Sequence, residues 1–408
     1  MTNPISMEER PAIDDKARSG NTASRNSVSG QTQLKPVLFV VDSYFPVMGG
    51  AERQSLVLAR ALREQGVSVE FVCPHLDKEL PIKDAVDGFS ITRIPYWRIK
   101  FLGAFFLMGN FALHMLRHRG EYSYIHVHIT KLLAATLGMI RGPLRTPVIT
   151  KISGHAEFTG GVLDRRRRFN PAYRMMQHFI RKLDHVHTIS QFTRDVLIEC
   201  GFNDDQIVLI PNAVEVNRFG KPDYALGIQH DRLRVGFVGR VEQVKGLDVL
   251  LNAVAALPDE QRHQIEVAIA GDGRHLETMQ ALSTALNLDQ TVQFVGAIDD
   301  VPAFLRTVDI YVQPSYAEGL SNAVLEAMCA SLPVIASKIS GNTDLVEPGH
   351  NGLLFPAGET VALRQCLIQL IDDGEMRSAM GEAGRTIIER GYSAQSISQR
   401  LVGVYRHD

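Results

Sequence analysis

The chain has 408 residues, 45% hydrophobic and 22% charged, with a formal net charge of −2 and a single Trp. That balance suits a soluble globular protein of roughly two or three domains. Its four cysteines, Cys73, Cys200, Cys329 and Cys366, contain no CxxC pair, so they support neither a disulfide framework nor a zinc site and suit a reducing compartment.

Residues 1–34 are rich in Ser, Asn, Thr and charge and have no apolar h-region, which predicts a disordered tail rather than a signal peptide. "PVLFVVD" (36–42) reads as a buried parallel strand. The following "GGAERQSLVLARALREQG" repeats apolar residues at three and four and stops at Gly66, as a helix does. Between them Gly49 and Gly50 allow a ligand close to the backbone at a helix start, although a GG turn alone is usually only a loop.

"VSVEFVC", "FSITRIP", "YIHVHI", "PVITKI" and "HVHTIS" continue the strands with helical stretches between most of them, the pattern of a doubly wound α/β domain. The most apolar stretch, "FLGAFFLMGNFALHML" (101–116), is interrupted by Asn110 and His114 and falls short of the ~20 residues of a spanning helix. His126 with His128, and His185 with His187, stand at alternate strand positions, so each pair faces one side. Without a placed carboxylate they are expected as core or cleft-lining residues, with no protein-held metal.

Charge is uneven. Residues 91–182 hold sixteen Lys or Arg against three acids, while residues from 221 onward hold fifteen against twenty-four. The basic segment, with Arg165 to Arg168 at its centre, is either a solvated face or a surface for an anionic bilayer or a lipid-diphosphate acceptor. "PYWRIKFLGAFFLMGNF" beside it supplies aromatics for an interface. No nucleic-acid recognition module accompanies the charge.

After "IVLIPNAVEVNRFG" (207–220) the pattern restarts: "LRVGFVGR", "IEVAIAGDG", "TVQFVG", "DIYVQPS", "LPVIASK" and "NGLLFPAG" form a second α/β series. The predicted division is a tail at 1–34, a first Rossmann-like domain at 35–212, a second at 213–390, and a helix at 391–408 packing back on the first. Ligands of such sheets bind beyond the carboxyl ends of the strands. There "GRVEQVKG" brings Arg240, a fork for phosphate oxygens, and Lys245, a mobile point charge. "AGDG" adds Gly271 in a tight turn. No GxGxxG fingerprint is present, which counts against a nicotinamide dehydrogenase.

"DIYVQPSYAEGLSNAVLEAM" reads as strand, loop and helix, with Ser321 or Asn322 as N-cap, Glu318 in the loop and Glu326 about one turn into the helix. Eight residues of helix would part the two acids by ~12 Å, more than the roughly 5–9.5 Å of paired glycosidase carboxylates, so hydrolysis is disfavoured. A diphosphate flanked by two polyols uses both: the helix N-terminus, Gly50, Arg240 and Lys245 take the phosphates, and the acids accept hydroxyl hydrogen bonds at its two ends.

"EGLSNAVLEAM", "GRVEQVKG" and "GGAE" together, with "SQFTRDVL", "IPNAVEVNRF" and "GNTDLVEPGHNGLLFP", resemble the family 4 retaining glycosyltransferases of the glycosyltransferase-B fold over about residues 36–405. The resemblance implies two Rossmann-like doubly wound domains facing each other across a cleft. It implies that Glu326 holds the nucleotide ribose and that Glu318 faces the donor sugar, with Gly319, Leu320, Ser321 and Asn322 beside sugar and phosphate. Arg240 and Lys245 would stabilise the departing diphosphate, with Gly49 and Gly50 at the first-domain phosphate contact. Family members usually carry a His after the fifth strand; here "PVITKISGH" puts Ser153 there, with His155 or Lys151 as the replacement.

The expectation is a cytosolic retaining glycosyltransferase, peripheral on the inner membrane face. It would use a UDP- or GDP-sugar as donor, a glycan or polyprenyl-diphosphate-linked acceptor and no obligatory cofactor. A same-fold epimerase or hydrolase, or a non-catalytic nucleotide-sugar-binding protein, is the alternative.

Overall fold

The computed structural model describes residues 35–43, 49–97, 99, 102–152, 154, 161–167, 169–226 and 231–407. The apolar runs become strands covered on both faces, as parallel strands with helical crossovers must be. The first sheet comprises β1 (Val37–Val41), β2 (Val69–His75), β3 (Lys83–Val86), β4 (Phe89–Pro95), β5 (Tyr124–His128), β6 (Val148–Ile152), β7 (His185–Thr188) and β8 (Ile207–Leu209). Its order is β3-β4-β2-β1-β5-β6-β7-β8. All five residues of β1, of β5 and of β6 are buried.

One edge departs from the strand pattern read from the sequence. β3 pairs antiparallel with β4, turned by Asp87 and Gly88, both at positive φ (56° and 76°). A two-residue hairpin loop of this kind needs positive φ at both centres, which an Asp-Gly pair adopts readily.

The second sheet is wholly parallel, with β9 (Leu233–Val238), β10 (Ile265–Ala270), β11 (Val292–Gly296), β12 (Ile310–Gln313), β13 (Val334–Ser337) and β14 (Gly352–Phe355). Its order, β11-β10-β9-β12-β13-β14, reverses direction between β9 and β12, where such sheets open a crevice.

The chain passes between the sheets twice, and the two passages are tied together. Val214 bridges to Ser393, with Val214 N donating to Tyr392 O (3.0 Å) and Ala394 N to Val214 O (2.9 Å). Helix α1 (Gly50–Glu64) holds the first passage through Gln54, whose side-chain amide exchanges two 2.9 Å bonds with the backbone of Ala213. The helix Ala394–His407 buries Ile397, Leu401 and Tyr405 in the cluster that contains Val37, Phe39, Leu58 and Leu62, on the first sheet. Among the described residues no helix is long and apolar enough to cross a membrane.

Candidate functional site

Parallel strands end on one edge, so every loop after a strand's carboxyl end in one sheet lies on the same side. Four contacts bring these loops of the two sheets together. Gly154, just beyond β6, lies against Gly319 beyond β12, and Gly50 at the start of α1 lies against Asn322, whose Nδ2 would be 3.5 Å from a Cβ there. Asn212 of the first passage donates to Asn322 Oδ1 (2.8 Å). At the far side Gln191 N, in the first turn of the helix Gln191–Glu199, donates to Asp344 Oδ2 (2.9 Å).

Glu318 stands in this cleft with its charge already answered. Its Oε1 accepts from Lys245 Nζ (2.6 Å), Ser315 Oγ (2.8 Å) and Gln313 Nε2 (3.1 Å). Lys245 comes from the turn Gln243–Lys245 that follows β9, and that turn is pinned to the Glu318 loop by Tyr316 N donating to Val244 O (2.8 Å). Both side chains of the ion pair are largely buried, 19% exposed for Lys245 and 13% for Glu318, which strengthens their attraction over that of a surface pair.

The helix Asn322–Cys329 is capped by Ser321, whose Oγ accepts from Val324 N (3.3 Å). Leu320 is buried under that first turn. Glu326 lies on the same helix and borders a cavity of about 200 Å³ with Arg53, Arg60, Arg218 and Asp299. It keeps some open surface because it lines that cavity. Its carboxyl is nonetheless far enough from bulk water that burial pushes it up to about 7, against the opposing pull of Arg53 and Arg218.

The residues singled out from the sequence are therefore only partly gathered. Lys245, Glu318, Gly319, Ser321, Asn322, Gly50 and Glu326 share the cleft. Lys245 rests on Glu318, where the sequence reading set it on a phosphate. Gly49 is the N-cap of α1, with no side-chain bond of its own. Arg240 is exposed at the end of β9. Gly271 packs backbone to backbone on Gly239, whose oxygen would be 1.8 Å from a Cβ there. Ser153 and His155 lie outside the described residues.

The strand histidines form a buried chain. Ile210 O can only accept, so His187 Nε2–H donates to it (2.6 Å) and His187 Nδ1 is left to accept from His126 Nε2–H (3.2 Å). His126 Nδ1 then accepts from Tyr405 OH (2.7 Å). His128 stacks on His126 and against Phe39 (ring centroids 4.4 Å in each case), and neither of its nitrogens has a hydrogen-bond partner among the described residues. Burial, with Lys151 adding to it, holds all three imidazoles well below their usual range. Among the described residues no group of His, Cys, Asp or Glu is arranged to hold a metal.

Sequence reasoning missed Gln313, Ser315, Gly154, Asn212, Gln54 and Asp344. Polar Gln313 and Ser315 at the end of an otherwise apolar strand were the available signal for the first two. The others become visible only when two distant segments meet.

Two Rossmann-like domains whose strand ends meet across a cleft, with a Lys–Glu pair and a helix N-terminus inside it, make up the glycosyltransferase-B fold. The Glycosyltransferase Family 4 model matches residues 48–218 and the Glycosyl transferases group 1 model residues 223–387, leaving only the two ends and residues 219–222 unmatched. The chain belongs to the family 4 glycosyltransferases.

LpsE of Rhizobium meliloti, a lipopolysaccharide core biosynthesis glycosyltransferase, is 29% identical over 161 residues, 40% of this chain and 46% of that one. A phosphatidyl-myo-inositol mannosyltransferase of Mycobacterium leprae is 26% identical over 374 residues, 88% and 94% of the two chains. Among solved structures, HepE of Anabaena in complex with UDP superposes with a TM-score of 0.74 at 20% identity, covering 90% of this chain and 99% of that one. The chain spans about half the length of the first curated relatives it matches.

Proposed function

We propose that this protein is a retaining glycosyltransferase that moves a hexose from a nucleotide-diphosphate sugar to a glycan or lipid-linked acceptor. The observation that carries the reading is the Lys245–Glu318 pair set beside the capped N-terminus of the helix that bears Glu326. That spacing offers a positive centre between two hydroxyl-binding acids, which is the charge distribution of a nucleotide sugar.

On this reading Glu326 accepts ribose hydroxyls in the cavity beside Arg53 and Arg218, and the turn Gly319–Asn322 with Gly49 and Gly50 faces the diphosphate. The arriving diphosphate draws Lys245 from Glu318, and Arg240 joins it. Their charge then meets the negative charge growing on the leaving group, where such stabilisation acts most strongly. Glu318 orients the donor sugar, and His155 or Lys151 takes the place of the family histidine. The protein supplies positioning and electrostatics and no covalent nucleophile.

The acceptor belongs on the basic first domain. Trp97, Leu102, Phe105 and Leu113 are exposed there, with Trp97 stacked on Phe106 (4.1 Å), in the segment 91–182 that is basic in sequence, although Arg93 and Lys151 within it are buried. That combination supports a peripheral site on an anionic inner membrane face.

Screening UDP- and GDP-sugars for nucleotide-diphosphate release, with and without a polyprenyl-diphosphate-linked acceptor, tests the reading. Acceptor-dependent release, strongly reduced in Glu318→Gln with nucleotide binding retained, is expected. Equal release without acceptor would make the protein a hydrolase, and binding without turnover a nucleotide-sugar-binding protein.

A further inference from the structure

We propose that Gln313 is a positioning residue that acts through Glu318, held in its working orientation by Tyr311; this rests on the transferase reading above. Tyr311, Gln313 and Ser315 follow one another on the same face of the β12 segment, and all three are fully buried. Their hydrogen bonds have one consistent polarity. A carboxylate accepts only, so the Gln313 amide must turn its Nε2 to Glu318 Oε1 (3.1 Å), which leaves Oε1 of Gln313 to accept from Tyr311 OH (2.8 Å). Burial holds the Tyr311 hydroxyl well above its usual range, so it stays a donor. Gln313 Nε2 also donates to Ser315 Oγ (2.7 Å), which passes a second hydrogen bond on to Glu318 Oε1 (2.8 Å).

The arrangement has a consequence for turnover. Of the three donors on Glu318 Oε1, only Lys245 is a cation on a flexible stem, and it is the one the diphosphate would draw away. Gln313 and Ser315 are uncharged and fully buried, Gln313 at the end of β12 and Ser315 with its backbone oxygen held by Ser337 Oγ, so they stay on Oε1 when Lys245 leaves. The carboxylate then neither follows the lysine nor stands unpaired, and Oε2, which takes none of these bonds, remains turned to the donor sugar. The far wall is closed by Gly341, where a Cβ would come 2.8 Å from the Glu318 Cβ. An acid aimed in this way is held before the reaction instead of reorganised during it.

The test is a double-mutant cycle on nucleotide-diphosphate release, with KM and thermal midpoint measured for each variant. Gln313→Met keeps the side-chain volume and removes all three bonds, to Tyr311, Ser315 and Glu318. It should lower kcat roughly tenfold, less than the ~10²–10³ of removing a donor that itself touches the reacting group, with KM for the donor within about threefold. In the Glu318→Gln background, read under single-turnover conditions, the same change should cost less than about twofold, because residues that act as a unit are non-additive. Tyr311→Phe removes a single oxygen and should show the same pattern at smaller size, which covers the case of a poorly folding Gln313→Met. Equal losses in both backgrounds, or a loss confined to KM, would overturn the proposal while leaving the transferase reading in place. Absence of release from the unaltered protein would take down both.

Discussion

Gly154 lies against Gly319 across the cleft, so closely that a Cβ on Gly154 would stand 2.8 Å from the Gly319 Cα and 3.2 Å from its N. Gly154 also adopts φ +135°, a conformation that side chains rarely accept. Gly154→Ala therefore has to separate the two loops at the point where the transferred sugar is proposed to sit. Displacements of about 1 Å at a reacting centre cost up to a hundredfold in rate. We expect kcat/KM to fall at least tenfold on that scale, with the thermal midpoint nearly unchanged because little core is touched. Unimpaired kcat/KM in this variant would show that the two loops need not meet.

Gln54 clasps the backbone of Ala213 from both sides, and Ala213 is 2% exposed. Gln54→Met keeps the volume but leaves a buried N–H and a buried C=O without partners, at a cost of about 2 kcal/mol or more. Urea unfolding should show this loss. Because the same segment positions Asn212 against Asn322, donor KM should rise with it.

The buried histidine chain sets an acid limit on stability. His126, His128 and His187 are held neutral in the fold, chiefly by burial and then by the neighbouring charges, Lys151 among them. In the unfolded chain they take up protons near pH 6.5. Their lowered pKa values mean that the unfolded state binds more protons below that point, so stability is full above about pH 6.5 and is lost as pH falls through it. Three such groups give a limiting slope of about 4 kcal/mol per pH unit. His128→Phe is the sharpest check, since the ring already packs on Phe39 and makes no hydrogen bond among the described residues. It should reduce the slope by about a third and stabilise the protein at pH 6.

The parts of this architecture legible in the sequence are those that local pattern dictates. Buried runs such as Val37–Val41 and Ile265–Ala270 can only be strands covered on both faces, and Ser321 three residues before Val324 is a cap wherever a helix follows. β3 was missed because Lys83–Val86 is short, partly charged and carries no apolar run, although its Asp87–Gly88 turn was readable. Glu318 and Lys245 were each legible, but their direct bond was not, since 73 residues separate them and only the meeting of two strand ends makes them neighbours. Gln313 could not be told from any other buried polar residue until Tyr311 and Glu318 stood on either side of it.

Glu326 offers the most direct link between a titration and the proposed donor. Burial pushes its carboxyl up to about 7, with Arg53 and Arg218 pulling it back. The carboxylate accepts two hydroxyl hydrogen bonds, whereas the protonated acid spends one oxygen as a donor. Ribose binding therefore selects the ionised form. A nucleotide sugar has both phosphates esterified and carries no proton of its own to lose near neutrality, so the pH dependence of its affinity reports on the protein. Its affinity should be level above about pH 7 and fall below it, approaching tenfold per pH unit. Glu326→Gln removes the titration: binding should be weaker at pH 8 than in the unaltered protein, and the acid limb should vanish. Calorimetric titration from pH 5.5 to 8.5 measures both curves, and a persisting acid limb in Glu326→Gln would assign the ribose contact to another group.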